Sequence, residues 1–195
     1  HETFRDFIHP EDKVAVEKRW AAAKNGAPYD INHRIVTGDG TVKWMHEQAE
    51  LTFDDDGEPV SAIGIVQDVT ELKERERELE RYKQAVENAG HAIFFTDTDG
   101  TIEYVNPAFE QITGYRSETA VGSTPRILNS GQMNEDYFEA QWQTIQEGQL
   151  WEEKIVNRRK SGEMYTAIQT IAPITDERGK PNGYVGVQSD VTNLS

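Results

Sequence analysis

The sequence contains no cysteine. Disulfides, iron–sulfur clusters, zinc–thiolate sites and thiol photochemistry are therefore excluded. No run approaches the about 18 consecutive apolar residues that a membrane-spanning helix needs, and no signal peptide is visible. Basic residues are scarce: 20 Lys and Arg, only nine of them Lys, stand against 35 Asp and Glu, for a net charge of −15. A nucleic acid or an anionic membrane needs a basic patch, so neither is expected as a partner of this chain. The acidity fits either ordinary solubility or a salt-rich cytoplasm, where surface carboxylates bind water and cations; the Lys-poor loop Asp54-Asp55-Asp56 suits the second reading. In both cases a cytoplasmic location is expected. The five histidines show no metal-ligand spacing with carboxylates. There is no phosphate-cradling glycine loop, no kinase or cyclase signature and no nucleophile–base pair, so no catalytic residue is expected.

What the sequence does have is a repeat. The shift that carries Trp20 onto Trp142 also carries Gly26 onto Gly148, Gly40 onto Gly162, Gly57 onto Gly179 and Gly64 onto Gly186 without a gap. Pro59 falls on Pro181, Asp68-Val69-Thr70 on Asp190-Val191-Thr192, and Leu72 on Leu194. Such a register signals two copies of one domain. The first copy begins level with Ser123 and lacks a counterpart of residues 83–122, so the chain reads as a piece of a longer protein whose output module lies elsewhere.

In the second copy, residues 83–89 read as a helix stopped at Gly90, and residues 92–96 and 101–106 as strands joined by Asp97-Thr98-Asp99-Gly100. Short helical pieces follow. Tyr137, Phe138, Trp142 and Ile145 fall near one face of a helix over 134–147. Strands over 151–159, 164–174 and 184–190 complete an α+β domain: a five-stranded antiparallel sheet with its helices on one face, a shape that encloses a small cavity. The expected organisation is an incomplete first copy over 1–70, a helical linker over 71–89 and a complete second copy over 90–195.

The linker is rich in strong helix formers and in charges spaced for i,i+4 pairing. Leu72, Leu79 and Val86 recur at heptad spacing, with Tyr82 between them and Arg75 interrupting. The stripe suits a parallel coiled-coil homodimer or a helix docked on its own domain. Asp68 and Thr70 are expected to cap this helix and tie it to the sheet, with Asp190 and Thr192 doing the same for a helix beyond.

The run Asp97-Thr98-Asp99-Gly100-Thr101-Ile102-Glu103-Tyr104-Val105-Asn106-Pro107-Ala108-Phe109, then Thr113-Gly114-Tyr115, resembles the front half of a PAS domain. Asn157-Arg158-Arg159-Lys160-Ser161-Gly162 and Asp190-Val191-Thr192 resemble its back half, the PAC motif. His9-Pro10-Glu11-Asp12, Asp39-Gly40-Thr41-Val42-Lys43-Trp44 and Asp68-Val69-Thr70-Glu71 resemble the PAC half of another PAS domain. The resemblance implies the sensor region of a signal-transduction protein. Its pocket would hold a small ligand and its output would be a histidine kinase, or else a transcription regulator or transducer-like receptor; a ligand-free dimerisation spacer is the remaining reading.

Gly122-Ser123-Thr124-Pro125-Arg126-Ile127-Leu128-Asn129 resembles the flavin-binding branch, with Pro125 where light-sensing members place a cysteine. In that branch the flavin-contacting amides would fall at Asn157, Ala167 and Gln188, and Arg126 would face a phosphate. Ala167 offers neither donor nor acceptor. The alternatives are a surface salt bridge for Arg126 and amides satisfied within the sheet for Asn157 and Gln188. The cofactor is thus open: flavin is one candidate, and haem finds no axial ligand. Phe95, Ile112, Tyr115, Leu128, Tyr165 and Ile168 are the expected apolar walls of the pocket, or simply core.

Overall fold

The computed structural model describes residues 4–193, which form two compact units, His1–Glu80 and Arg81–Ser195. The boundary falls inside one helix, not at the start of the expected linker. In the first unit, α1 (Phe4–Phe7) and α2 (Lys13–Ala23) precede β1 (Tyr29–Val36), β2 (Val42–Phe53) and β3 (Pro59–Asp68). The strands pair antiparallel in the order β1-β2-β3. The helix α3 (Thr70–Glu87) follows.

The core of the first unit is thin. Ile8, Val16, Ala23, Tyr29 and His33 are buried, and the Trp20 ring meets Tyr29 edge-on with centroids 5.1 Å apart. A bidentate clamp supports it: Arg34 donates to Asp12 Oδ2 from Nε at 3.0 Å and to Oδ1 from Nη2 at 2.6 Å. Trp44 on β2 packs under the guanidinium groups of both Arg34 and Arg77. Among the described residues β3 pairs only with β2 and is exposed along its length, with Ile63 at 80% and Ile65 at 71%. The apolar residues of this sheet are thus covered unequally: Ile31, Ile35, Trp44 and Leu51 are half-buried.

The second unit carries the full expected sheet. Here β4 (Ala92–Thr96) and β5 (Ile102–Val105) lead to α4 (Pro107–Thr113), α5 (Ser117–Ala120), a 3-10 turn over Pro125–Leu128 and α6 (Glu135–Gln146). The strands β6 (Trp151–Arg158), β7 (Met164–Thr175) and β8 (Pro181–Asp190) close it. All neighbours are antiparallel in the order β5-β4-β8-β7-β6. The repeat is visible element by element: Trp20 on α2 answers Trp142 on α6, and β3 answers β8. Turn chemistry repeats as well. Asp54 accepts from the amides of Asp56 and Glu58, as Asp176 does from Arg178 and Lys180, and Gly57 and Gly179 supply the positive φ that closes each turn.

Two features hold the second unit in register. Gly186 on β8 lies under the Phe94 ring, where an added Cβ would stand 2.1 Å from Phe94 Cζ. Asn106, wholly buried, uses its entire carboxamide. Its Oδ1 accepts from the amides of Ile93 and Phe109, each at 2.9 Å. Its Nδ2 donates to the carbonyls of Val86 and His91, each at 3.0 Å. One side chain therefore caps α4, anchors β4 and receives the last turn of α3.

Asn106→Ala removes four side-chain hydrogen bonds to the backbone at once and is expected to cost the second unit about 3 kcal/mol. Urea unfolding followed by residue-resolved hydrogen exchange checks this: the second unit's midpoint falls while the first unit's holds. An unchanged midpoint refutes the role given to Asn106.

Candidate functional site

A cavity of about 260 Å³ opens between the sheet of the second unit and its helices. Its apolar walls are Phe94, Phe138, Trp142, Ile145, Ile155, Ile171 and Tyr184. Thr96, Thr124, Asn129, Gln141, Asn157 and Gln169 bring polar atoms to it, and Arg126 and Asp99 stand on its exposed rim. Pro125 also reaches the lining, at the start of the 3-10 turn.

Strand alternation decides which residues face the cavity. On β7 Tyr165, Ala167, Gln169 and Ile171 share the buried face. Ile168, of the opposite parity, is 45% exposed and does not line the cavity. On β4 the same rule turns Phe94 inward and Phe95 outward, where Phe95 packs against Tyr104. These two expected walls are corrected. Ile112, Tyr115 and Leu128 also lie outside the lining and pack the core around Phe94 and Phe109. Of the expected site residues, Asn157 and Arg126 line the cavity; Tyr165 and Gln188 stand one layer behind it.

That second layer is a chain of hydrogen bonds. Tyr165 Oη donates to Gln188 Oε1 at 2.9 Å, and Gln188 Nε2 donates to Gln169 Oε1 at 2.5 Å. Burial pushes the Tyr165 phenol up to about 12, so it stays a donor. The Arg159 guanidinium lies over the Tyr165 ring, 4.5 Å from its centroid. Arg159 also donates to the Ile112 carbonyl at the end of α4 and, through Nη2, to Asp190 Oδ2 at 2.6 Å.

Asp190 then locks the last strand. Its Oδ1 accepts from the Thr192 amide at 3.0 Å and from the Thr192 hydroxyl at 2.6 Å, while Thr192 Oγ1 accepts from the Thr166 amide at 3.0 Å. The first unit holds the same lock. Asp68 Oδ1 accepts from the Thr70 amide and hydroxyl, Thr70 Oγ1 accepts from the Trp44 amide at 2.9 Å, and Lys43 replaces arginine at Asp68 Oδ2. Asp68 thus caps the first amide of α3, whereas the Thr70 hydroxyl ties back to β2 and not to the helix. The helix expected beyond Thr192 runs into residues outside those described.

The linker stripe is exposed along most of its length: Leu72 at 55%, Leu79 at 70% and Tyr82 at 59%. Val86 is half-buried, and its carbonyl holds Asn106. Arg75, which interrupts the stripe, pairs with Glu71 at the surface.

Most of the lining was missed from the sequence, including the apolar Phe94, Trp142, Ile145, Ile155, Ile171 and Tyr184 and the polar Gln141, Gln169 and Asn129. For Gln169 the signal was present: it shares parity with Tyr165 and Ala167, both placed on the buried face.

Residues 80–191 match the PAS fold family, and residues 1–66 match a second family of the same fold. The chain belongs to the PAS family. PAS domains are sensory signalling modules, and the α+β five-stranded sheet is their fold. The chain is 34% identical over 107 residues to the nitrogen fixation regulatory protein of Klebsiella oxytoca, covering 55% of this chain and 22% of that protein. It is 36% identical over 122 residues to the bacterioopsin transcriptional activator of Halobacterium salinarum, covering 61% of this chain and 18% of that protein. The match therefore spans about a fifth of each relative's own length. Among solved structures, the LOV domain of the Erythrobacter litoralis EL346 blue-light activated histidine kinase is 28% identical with a TM-score of 0.50, covering 54% of this PAS chain and all of that one. No helix among the described residues is long and apolar enough to cross a membrane.

The flavin branch can be tested on these residues. Asn157 is 3% exposed, and its Nδ2 has no hydrogen-bond partner among the described residues. Gln188 is spent on Tyr165 and Gln169, and Ala167 offers nothing. The amide next in line is Gln169, whose Oε1 is taken and whose nitrogen remains for the cavity. With flat apolar walls and Arg126 at the rim, the PAS cavity fits a flavin, provided Gln169 stands in for Gln188.

Burial raises the Asp190 carboxyl, but the Thr192 hydroxyl and the Arg159 guanidinium outweigh it and hold Asp190 below its ordinary value. A carboxyl depressed in the folded state stabilises above its unfolded pKa and loses that contribution as pH falls through the folded one. The stability advantage of wild type over Asp190→Asn is thus expected to be full above the unfolded carboxylate pKa of about 4 and to shrink as pH falls below it. Paired urea titrations across that range check it; an advantage independent of pH contradicts the lock.

Proposed function

We propose that this PAS chain is the sensing segment of a signalling protein: a small molecule in the second-domain cavity changes the sheet, and the change leaves through Asp190 and Thr192 to an output module. The observation that carries this reading is the unbroken run from Gln169 through Gln188, Tyr165 and Arg159 to Asp190 and Thr192. Each member is buried or packed against the next, so a shift at one end has a physical route to the other.

A flavin, when bound, would supply a redox couple; Asn157 and Gln169 would hold its ring edge, Arg126 its phosphate. For the chain's own part, Tyr165 keeps its proton and orients Gln188, and Arg159 joins the sheet to the end of α4. In the first unit the Asp68–Thr70 lock and Lys43 fasten α3 to β2, so the same device serves input to the linker. The similarity to the LOV domain of a histidine kinase supports a kinase as the output. The similarity to the bacterioopsin transcriptional activator favours a second reading, a transcription regulator.

The linker helix is proposed to pair with a second copy through Leu72, Leu79, Tyr82 and Val86. Exposed leucines at heptad spacing on a helix with no buried residue support this. Leu72 and Leu79 are exposed enough to replace without unfolding either unit. The double variant Leu72→Lys, Leu79→Lys is expected to sediment as a monomer; a dimer places the interface elsewhere.

Gln188→Leu cuts the run at its centre. Amide exchange at Val191 and Thr192 is expected to speed up by about tenfold. Unchanged exchange at both amides ends the relay reading.

A further inference from the structure

The first unit has a cavity of its own, about 240 Å³, lined from α1, α2, β1 and β2. Ile8, Val16, Trp20 and Tyr29 are its apolar walls. Arg5, Asp6, Lys13 and Glu17 stand exposed around it, two charges of each sign. The remaining lining residue is Glu47, a carboxylate on the central strand of the sheet.

Glu47 is 17% exposed, and its Oε2 lies 4.0 Å from His33 Nδ1. The same oxygen accepts from Tyr29 Oη at 3.1 Å. Burial pushes the His33 imidazole below its ordinary value, against the pull of Glu47 and Asp12, so the ring is neutral at pH 7. Burial and Glu47 together push the Tyr29 phenol up, so it keeps its proton. Among the described residues Glu47 pairs with no lysine or arginine. A carboxylate largely withdrawn from water is destabilising when a hydroxyl and a neutral ring are all that replace its hydration.

The repeat shows what is particular to this position. The register that sets Trp20 on Trp142 also sets Glu47 on Gln169 and Val66 on Gln188. In the second unit Gln169 is neutral and held by Gln188. In the first, Val66 offers no hydrogen bond, and the residue that faces the cavity carries a full charge. The indole wall is common to both copies; the charge belongs to the first alone.

We infer that the first unit binds a small organic ammonium ion, whose N–H groups donate to Glu47 while its apolar body packs against Val16, Trp20 and Tyr29. The exposed charges around the opening cancel in number, so Glu47 sets the sign of the field inside. An ammonium group brings three donors and the missing positive charge, and the Trp20–Tyr29 pair gives a cation aromatic faces to rest on. A bare metal ion is a poor match, because one carboxylate among aromatic walls is too few ligands, and the described residues hold no group of three metal-binding side chains. The site goes beyond the sensory reading of the second domain, and neither depends on the other.

Calorimetric titration of the whole chain with phenethylamine and with 2-phenylethanol, which differ in the charged group alone, tests the inference. The amine is expected to bind at least about tenfold more tightly than the alcohol. Glu47→Gln keeps an acceptor for Tyr29 and is expected to abolish that preference. The same substitution is expected to raise the urea midpoint of the ligand-free first unit, because it removes a charge without a counter-ion. Amide shifts on adding the amine are expected at Trp20, Tyr29 and Glu47 and not at Gln169. Equal binding of amine and alcohol, or a preference that survives Glu47→Gln, overturns the role of the carboxylate. A midpoint that falls in Glu47→Gln makes Glu47 a structural partner of His33 and Tyr29 and overturns the site, as does the failure of both probes to bind. Shifts at Gln169 in place of Glu47 put the amine in the other cavity and overturn the assignment. The Gln188→Leu exchange tests the second domain separately, so the two readings fail independently.

Discussion

A single buried carboxamide organises the second domain. Asn106 gives both lone-pair directions of its oxygen to backbone amides and both hydrogens of its nitrogen to backbone carbonyls. Those four groups belong to the last turn of α3, the turn before β4, β4 itself and the first turn of α4. A buried amide with all its hydrogen-bonding capacity met is rigid, because moving any of the four segments strands a polar group in an apolar interior. The cavity inherits that rigidity. Phe94, one residue beyond the anchored Ile93, is held over Gly186 at a separation that no larger residue permits, and it forms a wall of the site.

The second organising device is the acid–Val–Thr lock, which appears once in each unit with the same donors and acceptors. The difference is the cation. Lys43 reaches Asp68 and goes no further, with both side chains partly exposed. Arg159 is largely buried, and beside its ion pair with Glu163 its planar fork touches three things: Asp190, the end of α4 and the face of Tyr165. Lysine has one point of charge and cannot serve three such partners at once. The two copies therefore share a fastening, but only the second connects it to a cavity.

Much of this was legible in the sequence. The repeat, the five strands, their turns and the helix α6 follow from residue type and spacing, with boundaries displaced by a few residues at β8, which begins at Pro181. The linker helix was read over 71–89 with Gly90 as its stop, and α3 runs over Thr70–Glu87 and crosses the boundary between the units. The site was less legible, for two reasons. Apolar residues on a buried strand look alike whichever way they point, so Phe95 and Ile168 passed as walls although parity turns them outward. And a polar residue in a core strand announces itself only once its neighbours are placed: Gln169 and Gln141 are ordinary glutamines until the amides around them are counted. The Asp-rich loops illustrate the converse, since Asp54 and Asp176 carry surface charge but also close their own turns.

The protonation behaviour of Tyr165 limits what the second domain can report. A phenol that burial pushes up to about 12 stays protonated at any pH a living cell reaches. Its neighbours in the run are two carboxamides, which do not titrate, and an arginine whose charge is held by Asp190. Nothing between the cavity and the last strand therefore answers to acidity in that range. In the proposed relay the run carries shape and the direction of hydrogen bonds, and its signal is separate from the proton concentration outside.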